Sequence, residues 1–394
     1  MTTQSITTQR YFTPARVAVS MLFFQNGYLV GNWAPKVPEF AYRLGLSDSG
    51  VGLMVLFFGL GSLIAMPLVG WQISRIGSPS LARWLAAISV AVYLAISVAP
   101  NVVVAALILL AFGAAVGGTD VAMNANAVEV ERSERRAIMS SCHGFWSLGG
   151  FVGAATGGAL IGSVGGIIHA VVSAAVCAVL IVLAWQYLFV DRPQPANNGE
   201  NTKPESQAPV FRSPTLWLMG LMSLIAMNSE GAMIDWGALY LRSELGSGAT
   251  LSGFAYGAFS AGMAFMRFFG DGIRNRFGAV KTVRISVLVG AAGLVFAGSA
   301  GSAEVAVAGF ALAGLGLANI VPILFSAAGN LPNLPKGVGI SFVSVFGYSG
   351  ILFAPALIGF ISEHTGLALI FTTLGVSGLV LLAGSNLARH ADRG

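Results

Sequence analysis

The chain has 394 residues, of which 55% are hydrophobic and only 9% carry a charge. Soluble domains have about 25% charged residues, so this chain has too little charge to cover a water-facing surface. The composition excludes an ordinary soluble protein and predicts an integral membrane protein with lipid against most of its surface.

Apolar segments long enough to cross a membrane recur along the chain. A hydrocarbon core of about 30 Å needs about 20 apolar residues per helix. The predicted spans are 17–38, 50–72, 81–99, 101–125, 138–161, 167–190, 213–236, 250–271, 282–300, 304–327, 338–362 and 367–388. They predict an all-α integral membrane fold, with twelve transmembrane helices in two pseudo-symmetric six-helix bundles.

One long hydrophilic run, from Asp191 to Pro209, lies at the middle of the chain. Its proline, asparagine, glutamate and glutamine content is typical of a flexible linker. The predicted organisation is an N-terminal bundle over 1–190, a cytoplasmic linker over 191–212 and a C-terminal bundle over 213–394.

The positive charges predict the orientation. With the N-terminus inside, nearly all of the 21 lysines and arginines fall in loops on one face. The exceptions are Lys36, Arg43 and Arg242 on the opposite face, and Arg267 within a helix. Cytoplasmic loops carry an excess of Lys and Arg, so we expect both termini in the cytoplasm. The net charge of +5 is then a topology signal, and nucleic acid is not an expected partner.

The two halves resemble each other at an offset of about 201–203 residues. Gly61 matches Gly262, and Ser147 matches Ser349 in the fifth predicted helix of each half. Each half begins and ends on the same side of the membrane, so the repeats are parallel and related by an axis along the membrane normal.

A short basic loop after the second helix of each half resembles the best-known motif of the major facilitator superfamily. The first copy keeps Gly70, Arg75 and Gly77 but has Ser74 where the family has an aspartate. The second copy keeps Gly270, Asp271, Arg274, Arg276 and Gly278. The resemblance covers essentially the whole chain and implies a cytoplasmic gate that opens and closes during alternating access. A plain basic turn is the alternative.

Helices four and seven resemble the fucose-permease-like branch of that family and related uncharacterised bacterial permeases. Asp120 is followed four residues on by Asn124, and Asn228 precedes Glu230 and Gly231. The run from Met139 to Gly149 is also similar to those permeases. This resemblance implies a sugar-like or related polar solute and a place in the bacterial inner membrane.

Ionisable residues inside a span are costly and are therefore functional candidates. Asp120, Glu230, Asp235 and His143 are candidates for proton coupling, because a buried carboxylate can load and release a proton near neutral pH. A structural hydrogen-bonded role is an alternative for Asp120 and His143, and direct contact with the solute is a further alternative for Asp120. Asp235 could instead act in gating or at an interface. Arg267 could reach the cytoplasm, pair with a carboxylate or hold an anionic solute.

Uncharged side chains complete the predicted substrate site, because amides and aromatic faces suit a polyol-like solute. With Arg267, the substrate-binding candidates are Gln25, Asn26, Tyr28, Asn32, Asn124, Trp146, Asn228, Asn319 and Tyr348.

These features predict a secondary transporter that moves a small polar solute by proton symport, most simply as a monomer. An efflux antiporter is the alternative, although the fifth helix lacks the proline of the family's antiporter motif. A membrane sensor or scaffold is a further alternative, which we do not expect because the sequence shows no soluble domain to relay a signal. No P-loop, metal cluster or nucleophile motif occurs, so we expect neither an enzyme nor a cofactor or metal.

Overall fold

The computed structural model describes residues 12–33, 36–46, 48–190, 212–247, 249–332, 334–335 and 337–393, and within these ranges all regular structure is helical. The predicted linker 191–212 lies outside the described residues, except for Arg212. The first half contains α1 Pro14–Trp33, α2 Val37–Leu44, α3 Asp48–Ile76, α4 Ser78–Ser97, α5 Val102–Glu134, α6 Met139–Val164 and α7 Gly166–Trp185. The second contains α8 Pro214–Ser243, α9 Ala249–Phe277, α10 Ala279–Gly298, α11 Ala303–Leu317, α12 Ile320–Gly329, α13 Val338–Thr365, α14 Leu367–Gly378, α15 Leu381–Gly384 and a 3₁₀ segment, Ser385–Arg393.

These helices confirm the all-α membrane fold. Helices α11 and α12 follow each other as one span, and so do α14, α15 and the 3₁₀ segment. When the short α2 is left out, each half has six long helical segments, consistent with the twelve predicted spans. Within the described ranges, seven helices are long and apolar enough to cross a membrane by length and composition.

Helix α1 is described as far as Trp33, where the described range 12–33 ends. One span boundary differs from the sequence prediction for an identifiable reason. Helix α5 continues to Glu134, well past predicted residue 125, because its polar last turns pack against protein. A hydropathy scan cannot distinguish such turns from a loop.

The same helix pairs pack in both halves. In the N-half (α1–α7), α1 packs on α6 and α3 on α5. In the C-half (α8 to the 3₁₀ segment), the corresponding pairs are α8 on α13 and α9 on α11. Each half also has its own buried apolar core. The repeated packing gives the two bundles their pseudo-symmetry.

Glycines at equivalent positions permit these close helix pairs. A Cβ atom on Gly113 of α5 would lie 1.8 Å from the carbonyl oxygen of Phe58 on α3. A Cβ atom on Gly314 of α11 would lie 2.0 Å from the carbonyl oxygen of Phe259 on α9. Gly314 lies 201 residues after Gly113, and Phe259 lies 201 residues after Phe58, so the two contacts are equivalent under the repeat offset. Small residues allow helix backbones to approach each other within a membrane.

The halves meet through α3 with α13, α6 with α9, and α12 with α5 and α6. Arginines are concentrated in the helix ends and loops at one end of the bundle, which we call the Arg-rich end. They lie at the junctions of α3 with α4, α5 with α6, and α9 with α10, and are Arg75, Arg132, Arg135, Arg136, Arg274 and Arg276.

Candidate transport site and gate

A cavity of about 210 Å³ lies between the two halves. Four N-half helices (α1, α3, α5 and α6) and four C-half helices (α8, α9, α12 and α13) contribute to its wall. The lining residues are Asn26, Val30, Phe58, Ser62, Val116, Asp120, His143, Trp146, Met227, Glu230, Ile234, Arg267, Val321, Phe325 and Tyr348. Seven predicted site residues from both halves therefore share one cavity: Asn26, Asp120, His143, Trp146, Glu230, Arg267 and Tyr348.

Asp120 and His143 of the N-half wall are joined by hydrogen bonds through Asn124, which is not itself one of the lining residues. The Asn124 amide donates to the Asp120 backbone carbonyl at 2.8 Å and to Asp120 Oδ1 at 3.3 Å. His143 Nε2 lies 3.1 Å from Asn124 Oδ1, and because an amide oxygen only accepts, Nε2 is the donor. Asp120 is 4% exposed, and its Oδ2 has no hydrogen-bond partner among the described residues. One carboxylate oxygen therefore remains available for a proton or a ligand.

Glu230 and Arg267 form an ion pair in the C-half wall, and the pair also reaches the N-half. Arg267 Nη2 lies 3.5 Å from Glu230 Oε2. Arg267 Nη1 donates to Ser147 Oγ of α6 at 2.6 Å. Of the three predicted roles for Arg267, the structure shows pairing with a carboxylate, so reaching the cytoplasm is not its arrangement here.

Trp146 and Asn26 present a polar edge beside an aromatic face. Trp146 Nε1 donates to Asn26 Oδ1 at 3.0 Å, and the Asn26 amide donates to the Val116 carbonyl at 3.2 Å. Tyr348 lies on the opposite wall, within electrostatic reach of both Asp120 and Glu230. This combination of ring faces and hydrogen-bonding edges suits a small polar ligand.

Asn32 lies outside this cavity, inside the N-half. Its amide donates to the Tyr28 carbonyl at 2.8 Å, and its Oδ1 accepts from His169 Nε2 at 2.8 Å and Ser173 Oγ at 3.0 Å. All these groups belong to α1 and α7. Asn32 thus joins two helices of one half, and the Tyr28 side chain, 5% exposed, is packed in the same core.

Three further candidates also lie outside the cavity lining. Gln25 is fully buried, and Asn228 packs near Gly350 of α13. Asn319 contacts Gly270 so closely that a Cβ atom there would lie 2.0 Å from Asn319 Oδ1. The side chain of Asp235 lies outside the described part of the chain.

The second copy of the basic loop motif joins the halves at the Arg-rich end. Asp271 of α9 accepts from the backbone N–H groups of Ser140 at 2.9 Å and Ser141 at 2.8 Å. These groups begin α6, where a carboxylate is favoured by the free N–H groups and the helix dipole. Asp271 is 2% exposed, so this contact is a buried inter-half bond.

Arg274 makes the second connection, to a residue that the sequence analysis missed. Its Nη1 lies 2.8 Å from Glu131 Oε1, and both side chains are at most 5% exposed. Glu131 also accepts from the backbone N–H of Ile138 at 3.0 Å and of Met139 at 3.2 Å, and from the Ser326 hydroxyl of the C-half. We call the contacts of Asp271, Arg274 and Glu131 the latch.

The first copy of the motif does not form such a latch in this structure. Ser74, which replaces the expected aspartate, donates to the Trp71 carbonyl of its own helix at 2.8 Å. Arg75 stacks on the Trp71 ring, 3.8 Å from its centroid. Gly70 instead allows close packing, since a Cβ atom there would lie 2.4 Å from the Ser341 Cβ of α13. The end is thus closed by polar bonds on one side and by close packing on the other.

The remaining motif residues shape the turns. Gly77 and Gly278 precede α4 and α10 with φ of 83° and 81°, a region that glycine occupies readily and other residues rarely. Arg276 lies over the Phe277 ring, 5.4 Å from its centroid, so it takes no part in the latch contacts described above.

Two pseudo-symmetric halves with a polar cavity between them and a latch at one end define a membrane transporter. The chain belongs to the major facilitator superfamily, whose sequence profile matches residues 19–333. It is therefore a transporter and not an enzyme.

The chain is similar over nearly its whole length to three bacterial proteins. It is 35% identical to an uncharacterised MFS-type transporter of Yersinia pestis, covering 96% of each chain. It is 31% identical to an uncharacterised transporter of Sinorhizobium fredii, covering 93% of this chain and 96% of that one. It is 32% identical to membrane protein MosC of Rhizobium meliloti, covering 95% and 90%.

Solved structures share the fold at low sequence identity. The fucose:proton symporter FucP of E. coli has a TM-score of 0.78 at 16% identity, covering 95% of this chain and 98% of that one. A FucP structure in the outward conformation has a TM-score of 0.80 over the same shares. The proton:xylose symporter XylE has a TM-score of 0.74 at 12% identity, with 94% of each chain covered.

Proposed function

We propose that this transporter moves a small polar organic solute, sugar-like or a related metabolite, by proton symport across the bacterial inner membrane. The observation that carries the proposal is Asp120, whose buried Oδ2 has no hydrogen-bond partner among the described residues and lies at the wall of a cavity shared by both halves. A carboxylate in this position can alternate between a bound proton and the charged form as the cavity changes its access.

The cavity chemistry supports a polar solute of modest size. Its wall combines Asn26 and Trp146 with Tyr348, and its volume is about 210 Å³. Two solved proteins with the same fold, FucP and XylE, are a fucose:proton symporter and a proton:xylose symporter. Glu230 already has Arg267 as a partner, so Asp120 is the stronger candidate for the coupled proton.

We further propose that the Arg-rich end faces the cytoplasm, with both termini on that side, and that the protein acts as a monomer. The distribution of Lys and Arg favours this orientation. With it, the latched structure is closed to the cytoplasm. Alternating access would then require the bonds of Asp271 and Arg274 to the N-half to break.

Proteoliposomes with a pH-sensitive dye outside them test the proposal. Purified protein is first screened for thermal stabilisation by sugars, sugar acids, amino acids and organic acids, to find the solute. Adding that solute to the outside should make the medium more alkaline, because protons enter together with it. In the Asp120→Asn protein this proton movement should disappear, while exchange of labelled for unlabelled solute continues.

Thr119→Val is the matched control for that variant. Thr119 is adjacent to Asp120 and fully buried, but its hydroxyl donates to the Ala115 carbonyl of its own helix at 2.7 Å. Its replacement should leave proton movement unchanged. Accumulation of solute against its gradient by the Asp120→Asn protein would contradict the assignment of the proton to Asp120.

Proton-coupled efflux by antiport is the second candidate, favoured by the apolar part of the wall. Phe58, Phe325 and Trp146 line the cavity, and such rings suit amphipathic compounds. The same assay separates the two functions by sign. In antiport, solute added outside drives protons out of the vesicle, and the medium becomes more acidic.

A further inference from the structure

Arg267 is a buried cation whose contacts are divided between the two halves. Its side chain is 7% exposed. One terminal nitrogen faces Glu230 of its own half at 3.5 Å, and the other donates to Ser147 of the N-half at 2.6 Å. Ion pairs with hydrogen bonds have N–O distances of about 2.7–2.9 Å. The Arg267–Glu230 distance of 3.5 Å is longer than this range, whereas the bond from Arg267 to the neutral Ser147 hydroxyl is short.

The Ser147 hydroxyl is oriented for this bond by its own helix. It donates its single hydrogen to the His143 carbonyl at 3.1 Å, which leaves its lone pairs to accept from Arg267. Ser349, the equivalent residue of the C-half, also bonds within its own helix, to the Phe346 carbonyl at 2.8 Å. The repeat thus provides the same serine in two places, and Ser147 is the copy that receives the arginine.

Arg267 lies on the same face of α9 as the latch. Residues 267, 271 and 274 are four and three positions apart, which places them one above another along a helix. Each bonds to the N-half: Arg267 to Ser147, Asp271 to the first turn of α6, and Arg274 to Glu131. One helix face therefore leads from the cavity to the Arg-rich end.

We propose that Ser147 is a positioning residue that holds Arg267 across the interface, so that the charge of Glu230 controls closure of the latch. When the charge of Glu230 is neutralised, Arg267 loses its counter-charge. A buried cation with a single neutral partner is strongly disfavoured. Arg267 then leaves Ser147 for water, and the row of bonds along α9 begins to open from the cavity end.

The other titratable groups around Glu230 fit this role. Arg267 and Tyr256 approach it from α9, Asp120 from α5, His143 from α6 and Tyr348 from α13. Arg267 is the one cation in this set. Asp120 has the same charge as Glu230, so a proton on Asp120 strengthens the pairing of Glu230 with Arg267. This part of the inference rests on the proposed function, in which Asp120 exchanges a proton with each cycle.

Distance measurements between the halves test the proposal without transport. Spin labels are placed on Ser133→Cys of α5 and Gly272→Cys of α9, both exposed positions at the Arg-rich end, after Cys142 and Cys177 are replaced by alanine. Double electron–electron resonance then gives the ratio of closed to open protein. This ratio is measured with and without Glu230→Gln in four backgrounds: native, Ser147→Ala, Ser147→Thr and Ser349→Ala.

In the protein with native Ser147, Glu230→Gln should lower the ratio of closed to open protein by roughly tenfold or more, the usual effect of a lost hydrogen bond to a charged group. In the Ser147→Ala background the ratio should already be lowered, and Glu230→Gln should change it little further. Ser349→Ala should behave like the native protein. Ser147→Thr, which keeps the hydroxyl, should restore the response.

Equal responses to Glu230→Gln in the native and Ser147→Ala backgrounds would overturn the inference, and so would an Ser349→Ala effect as large as that of Ser147→Ala. Thermal unfolding of each variant identifies any that fails to fold. If Ser147→Ala is such a variant, the response of the Ser147→Thr protein to Glu230→Gln tests the proposal instead. The two proposals fail separately. Absence of solute-driven proton movement in the native protein contradicts symport, whereas the distance measurement needs neither solute nor gradient.

Discussion

Glu131→Gln should open the Arg-rich end of the transporter. The substitution preserves the shape of the side chain but removes the negative charge that faces Arg274 at 2.8 Å. The amide oxygen can still accept from the backbone N–H groups of Ile138 and Met139. The change therefore tests the charge of the pair more than its packing.

The magnitude follows from the burial of the pair. Removing one partner of a buried ion pair costs about 3–5 kcal/mol, because the other charge is left uncompensated. Asp392 remains 3.4 Å from Arg274 and is 40% exposed, which favours the lower value. About 3 kcal/mol corresponds to roughly a hundredfold change in an equilibrium constant. We expect both groups to be solvated in the open state, so this cost applies to the closed state alone.

The spin-labelled pair at positions 133 and 272 measures this ratio directly. Glu134→Gln is the matched control, because Glu134 lies one turn further along α5 and accepts from the Thr13 hydroxyl of its own half. Its loss should change the ratio by less than about fivefold, the effect of a partly exposed contact.

A closed-to-open ratio within threefold of native for Glu131→Gln would refute this reasoning, since the latch would then not depend on the buried charge pair. An equal shift for Glu134→Gln would refute it as well. That result would indicate that any loss of charge on α5 has the same effect.

Three further outcomes follow from the packing and the cavity. Gly113→Ala should lower the unfolding temperature in detergent by several degrees, because its Cβ would lie 1.8 Å from the Phe58 carbonyl oxygen, while Gly162→Ala, in open space, should not. Asn32→Ala should also lower the unfolding temperature, because the buried donors that bond to Asn32 lose their acceptor, at a cost of about 1–3 kcal/mol each. The KM of the folded fraction should be unchanged. Trp146→Phe should raise KM, measured by uptake, with little change in unfolding temperature.

The membrane class, the helices and the repeat could be read from the sequence alone. Apolar length determines whether a helix can cross lipid, and this property is local. The repeat offset is visible in single matches such as Gly61 with Gly262, and the structure shows that equivalent glycines permit equivalent helix contacts. The exceptions were helix ends, such as that of α5, where polar turns pack against protein.

The candidate site was predicted in part. Asp120, Glu230 and Arg267 were found because charge inside a span is rare and costly, and they share one cavity. Asn32 was chosen by the same polar criterion, yet it bonds to His169 inside one half. A polar residue within an apolar helix indicates that its side chain has a hydrogen-bonding partner, but the sequence does not show whether that partner is the solute or another part of the protein.

Glu131 and Ser147 show what only the tertiary structure decided. Glu131 lies past the predicted end of its span, among charges typical of a loop, and Ser147 is an ordinary small residue of a packed helix. Their partners, Arg274 and Arg267, are 143 and 120 residues away in the chain. Periodicity and hydropathy indicate which faces of a segment are apolar and which are polar. Which other segments pack against those faces is decided when the two halves come together.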